Sequence, residues 1–146
     1  MKKLMRVVSL ILAASLLLAV PAYAESTVES RESAFFASYG TDLYKATATS
    51  FEIWFDVDAN AAMMNVIGVS EIVVYRSADQ QSWTKMRTYT MEEYSQMVDT
   101  YTASHTGYVT YGYATSGYYY RARVTFYAKD SRGIGQRDVY TEILRM

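Results

Sequence analysis

Between Gly117 and Asp130 the chain reads GYYYRARVTFYAKD, and apolar and polar side chains alternate along it. Tyr118, Tyr120, Ala122, Val124, Phe126 and Ala128 fall on one side, and Tyr119, Arg121, Arg123, Thr125 and Tyr127 on the other. A helix would smear both sets around its axis, whereas a two-residue period keeps one face dry and one wet. The segment is therefore predicted as a β-strand. SRGIG after it predicts a turn, and GQRDVYTEILRM alternates again as a closing strand. A register with Tyr127 opposite Asp138 would set Thr125 against Tyr140 and Arg123 against Glu142 on the wet side. On the dry side it would set Phe126 against Val139 and Ala122 against Ile143.

The same alternation extends over much of the chain. Ala34 to Thr49 holds a first, edge-like strand, with Gly40 as its expected bulge or kink. FEIWFDVDA, from Phe51 to Ala59, predicts a second strand with Phe51, Ile53, Phe55 and Val57 inward and Glu52, Trp54, Asp56 and Asp58 outward. Asn60 to Gly68 is expected to be a crossing loop whose Met63, Met64 and Ile67 plug one end of the core. Glu71–Ser77 and Trp83–Thr90 predict strands three and four about the ADQQS turn. Thr90-Met91-Glu92-Glu93 has the spacing of a capping box, so one or two helical turns are expected over 91–98. Asp99 to Thr106 then forms a polar connection, and Gly107 to Tyr113 a fifth strand. The expectation is an all-β, seven-stranded antiparallel two-sheet sandwich.

The first residues, MKKLMRVVSLILAASLLLAVPAYA, change where that sandwich should work. A basic start, an apolar run from Val7 to Val20 and Ala22-Tyr23-Ala24 predict a signal peptide over 1–24, cleaved before Glu25. The run is about 14 residues, short of the roughly 20 that a spanning helix needs. ESTVESRES, 25–33, is expected to be a disordered leader, and 34–146 a single domain. The product is thus expected to be secreted, free of the membrane, and extracellular or loosely tied to the cell envelope. With no cysteine, it must hold together by core packing alone, which suits bacterial export. Without Lys2, Lys3 and Arg6, 11 basic side chains face 15 acidic ones, interleaved along the chain, which argues against a nucleic-acid partner.

Candidate chemistry is sparse. His105, the one histidine in the sequence, lies in a polar stretch with no nucleophile elbow or carboxylate cluster, so no catalytic residue is assigned and a non-enzymatic role is expected. Transition-metal sites need several His or Cys ligands, and no metal or cofactor is expected. Asp56, Asp58 and Asn60 copy the first half of a calcium loop, but Ala61 and Ile67 stand at its glycine and glutamate positions. Aromatic side chains offer more. Tyr75, Tyr119, Tyr127 and Tyr140 should share a wet face with Arg121 and Arg123, and Trp54 should stand between Glu52 and Asp56 on a face of its own. Such faces suit an extracellular glycan or protein partner, although rings that merely cover arginine stems would give the same pattern.

The long run resembles the penultimate strand of fibronectin type III and immunoglobulin-like domains: a tyrosine at its start (Tyr118 or Tyr120), alternating inward residues, a glycine turn and a last strand. That resemblance implies a tyrosine whose hydroxyl bonds back to the preceding corner. More narrowly, IGVSEIVVYRS, SWTKMRTYT, SHTGYVTYG and YRARVTFYAKDSRG resemble segments of a family of short secreted bacterial proteins of uncharacterised function, over roughly Ala34 to Thr141. It implies export and a small sandwich. The functional expectation is a secreted binding module for a glycan, envelope or protein partner, acting through the aromatic and arginine face of the last strands (Tyr75, Tyr119, Arg121, Arg123, Tyr127 and Tyr140), with Trp54 as the secondary candidate. A self-assembling surface protein is the alternative, and a hydrolase the least favoured.

Overall fold

The computed structural model describes residues 34–61 and 63–146; the expected signal peptide and leader lie outside them. Among the described residues the chain forms nine strand segments: β1 (Phe36–Lys45), β2 (Phe51–Ala59), β3 (Met64–Ser77), β4 (Thr84–Thr90), β5 (Val98–Thr102), β6 (Ser104–Tyr111), β7 (Tyr119–Asp130), β8 (Gly133–Tyr140) and β9 (Leu144–Arg145). They make two antiparallel sheets. The smaller runs β1-β2-β6, and the larger runs β4-β3-β7-β8, with β5 also on β3 and β9 also on β7. β4 and β5 lie end to end along one side of β3, and β8 and β9 end to end along β7. No helix among the described residues is long and apolar enough to cross a membrane.

The alternation that predicts β2 and β7 is the alternation that builds the core. Phe51, Ile53, Phe55 and Val57 of β2 meet Tyr120, Ala122, Val124, Phe126 and Ala128 of β7 in one buried cluster shared by both sheets. Full burial of one such large side chain contributes roughly 1.5–3 kcal/mol, so these two strands supply a large share of the glue between layers. Tyr120 is buried, and its hydroxyl accepts the N–H of Thr115 at 2.8 Å, tying the β6–β7 corner to the strand that follows. Of the two candidates for that bond, it is Tyr120 and not Tyr118 that makes it.

The structure corrects several local expectations. β3 begins at Met64, so the expected crossing loop is largely strand; Met64 and Ile67 are buried, but Met63 is 58% exposed and plugs nothing. The β1 irregularity falls between Phe36 and Ser38, while Gly40 pairs regularly with Asp56. Over 91–98 one helical turn forms, the 3-10 turn Ser95–Met97, and ahead of it Thr90 contributes its carbonyl, instead of a capping hydroxyl, to the N–H groups of Glu93 and Tyr94. Its conformation is set by Met97, fully buried, and by Val98, which must pair with Gly68. The polar connection of 99–106 is strand on both sides of Ala103.

The last hairpin slips by two residues from the expected register. Thr125 pairs with Asp138, Arg123 with Tyr140 and Phe126 with Arg137. Ser131 and Arg132 form a tight turn closed by Asp130 opposite Gly133, and the Asp130 carboxylate accepts the Arg132 N–H. Gly133 takes φ +136°, while Gly135 belongs to β8, where a Cβ would lie 2.7 Å from the Phe35 ring. Beyond Tyr140 the strand breaks. Thr141 bonds Ala122 through both its N–H and its hydroxyl, so Glu142 never meets Arg123 and Ile143 is exposed instead of facing Ala122.

Candidate binding surfaces on the two outer faces and one edge

The outer face of the larger sheet gathers most of the predicted site. Tyr75 pairs with Arg121 across β3 and β7, and Tyr140 with Arg123 across β7 and β8. The Arg121 guanidinium lies 4.2 Å from the centre of the Trp83 ring, 4.8 Å from that of Tyr140 and 6.0 Å from that of Tyr75. Arg123 bonds the Glu71 carboxylate with one nitrogen and Asp138 with another at 3.3 Å; Thr125 donates to the same Asp138 at 2.6 Å. Beneath them Val73 is 1% exposed although it points outward. The Nε groups of both arginines are buried without a hydrogen-bond partner. Tyr119 is covered by Arg145, and Tyr127, opposite Gly68, is only 8% exposed. The predicted cations and rings are thus brought together, and they are spent on each other.

The outer face of the smaller sheet differs. Cross-strand pairing sets Asp42, Trp54 and Tyr108 in one row, Tyr44, Glu52 and Thr110 in the next, and Gly40, Asp56 and Thr106 on the other side. Trp54 stacks on Tyr108 with centroids 4.7 Å apart and planes 24° from parallel, and Tyr44 meets the indole edge-on at 6.4 Å. The indole N–H donates to Glu52 at 2.8 Å, which fixes the ring upright. Tyr108 and Tyr44 are 45% and 54% exposed. A cleft of about 310 Å³ lies beside the indole, walled by Thr41, Asp42, Tyr44, Asp56 and Thr106. Gly40 leaves room for the Asp56 carboxylate on the cleft wall: a Cβ there would lie 2.8 Å from one of its oxygens. Among the described residues, Asp42, Glu52, Asp56 and Asp58 form no ion pair; Asp58 instead accepts from the Ser38 hydroxyl. Asp56 and Asp58 stand on a straight strand, and Asn60 reaches back to the Phe36 carbonyl. No three His, Asp or Glu side chains among the described residues gather as a metal site requires.

A larger cleft, about 970 Å³, runs along β6 and is lined by Arg87, Tyr89, Tyr94, His105, Tyr108 and Tyr113 among others. Arg87 donates to the Tyr94 hydroxyl at 2.8 Å and sits over the Tyr89 ring. Tyr89 donates its own hydroxyl to the Thr110 carbonyl, and burial pushes its pKa up to about 12. His105 Nε2 lies 2.9 Å from the Gln96 carbonyl, a contact that ties β6 to the 3-10 turn.

Sequence reasoning placed Trp54 but missed Trp83, Tyr44 and Tyr108. Outward parity was a usable signal for Tyr44 and Tyr108; their meeting at Trp54 needs the sheet order. No protein-family model matches the chain, and no curated protein matches it.

Proposed function

We propose that this chain is an exported, non-enzymatic sandwich of the immunoglobulin and fibronectin type III kind that binds an extracellular glycan on the outer face of its three-stranded sheet. The domain type is supported by the strand order β1-β2-β6 against β4-β3-β7-β8 and by the Tyr120 hydroxyl at the β6–β7 corner. Counted by position, with β4 and β5 sharing one edge and β8 and β9 another, the strands number seven.

The observation that carries the binding role is the Trp54–Tyr108 stack beside an open cleft with unpaired carboxylates. Upright rings bury area against the apolar side of a sugar with little loss of side-chain freedom, and carboxylates accept its hydroxyls. Tyr108 flanks the indole from β6, and the cleft opens toward β1, so a pyranose against the indole would come within reach of Asp42 and Asp56.

Retention on immobilised cell-wall polysaccharides and on a glycan array tests this. Wild type should be retained, and Trp54→Ala with Tyr108→Ala should lose at least tenfold in affinity, about 1.4 kcal/mol, with the melting temperature nearly unchanged. Tyr119→Ala with Arg121→Ala should bind as wild type does. If wild type is retained on no glycan, or the Trp54 variant binds normally, the reading fails.

A further inference from the structure

We infer that the free edge of β6 is a second site, built to accept an extended peptide from a protein partner as an added strand. The smaller sheet is three strands wide and the larger four, so at a strand spacing of about 4.8 Å the larger sheet has one strand width uncovered. The uncovered strip lies beside β6: the 970 Å³ cleft there is bounded on one side by β6 and on the other by Arg87 and Tyr89 of β4 and Tyr94 after it. The position, beside the free edge of β6 and across from β4, is that of a missing fourth strand.

The main chain of β6 is turned to receive one. The Ala103 carbonyl accepts the Ala59 N–H, so odd positions of this stretch point toward β2. The Thr110 carbonyl, in contrast, accepts the Tyr89 hydroxyl from the cleft side, so even positions point away. Thr106 and Tyr108 share that parity, and β6 has no strand neighbour other than β2 among the described residues. Their N–H and C=O groups therefore face the cleft and offer the ladder that a peptide strand completes.

The opposite wall selects the side chains. Tyr94 and Tyr113 give flat apolar surface, and Tyr113 is largely exposed. Among the described residues Arg87 holds a phenol hydroxyl and a ring but forms no ion pair, although Asp99 also lines the cleft. A peptide carrying an acidic residue level with Arg87 would supply the missing anion.

The experiment is selection of a displayed library of random heptapeptides on the chain, followed by titration of the enriched sequences. Enrichment is expected, with an acidic residue recurring and Arg87→Met weakening binding about tenfold. N-methylation at alternate peptide amides should abolish it, since the side chains survive but the ladder does not. Thr106→Pro removes one outward N–H without touching the β2 side and should weaken binding at least tenfold; should that variant not fold, the N-methylated peptides make the same test from the ligand. Failure to enrich any peptide, or enriched peptides indifferent to both changes, overturns the inference. So does a wild-type dimer in light scattering that Thr106→Pro splits, which would assign the edge to a second copy. Glycan retention by Arg87→Met, measured in parallel, is expected to stay intact, since Arg87 does not line the cleft beside the indole.

Discussion

The two outer faces of this sandwich are made of the same kinds of residue and end in opposite states. On the larger sheet, Arg121 lies among Trp83, Tyr75 and Tyr140, and Arg123 joins Glu71 to Asp138. On the smaller sheet, Trp54, Tyr108 and Tyr44 stand among four carboxylates with no cation paired to any of them. A face that satisfies its own charges gains stability and has little left to offer a ligand. The other face has its stack, its indole bond to Glu52 and its Ser38 bond to Asp58, but its carboxylates are balanced by no cation among the described residues. The presence of aromatic and charged residues therefore does not separate the two faces; whether the charges are balanced within the face does.

That contrast can be broken by mutation. The largest effect is expected at Arg123. Arg123→Met leaves Glu71 and Asp138 without their shared cation, and about 1–2 kcal/mol of stability should be lost in urea unfolding with the slope unchanged. Partial exposure of the pair keeps the figure at that level and no higher. Glycan retention should not move; if it falls in step with stability, the closed face is part of the site.

Arg121→Ala should cost less, about 1 kcal/mol, because it removes a cation held over rings and no ion pair. Tryptophan fluorescence should also shift as Trp83 loses its cover, and an unchanged spectrum with unchanged stability would mean the ring cluster is not formed in solution. The smallest effect, and the opposite sign, is expected on the open face. Asp56→Asn relieves repulsion among carboxylates that no cation balances, so it should stabilise by up to about 0.5 kcal/mol at low salt. The gain should vanish near 1 M salt, where the Debye length is about 3 Å. A loss of stability would show that Asp56 has a favourable role within the fold.

The strands that could be foreseen are those with one dry and one wet face. β2 and β7 have Phe, Ile, Val and Ala at alternate positions, and their burial follows that pattern except at Tyr127, which is predicted outward and is buried opposite Gly68. β5 was hidden because VDTYT is an edge strand with no fully buried position, so no hydrophobic period marks it. The two-residue slip of the last hairpin has a similar origin. Gly133 and Gly135 are equivalent turn-formers in the sequence, and what keeps Gly135 in the strand is the Phe35 ring pressed against it from a segment 100 residues away. The one or two helical turns expected over 91–98 shrank to the single 3-10 turn Ser95–Met97 for the same kind of reason: Met97 sits in the core and its neighbour pairs with Gly68.

The amino-acid order alone determined an all-β chain, which side of β2 and β7 is dry, and which rings and charges stand outside, because strand periodicity is local. It could not determine which outward residues become neighbours across strands. Sheet order and register set Tyr108 against Trp54, confined Arg121 among three rings, and left a strand's width vacant beside β6. Those are contacts between residues distant in the chain, decided by packing two sheets of unequal width on one core.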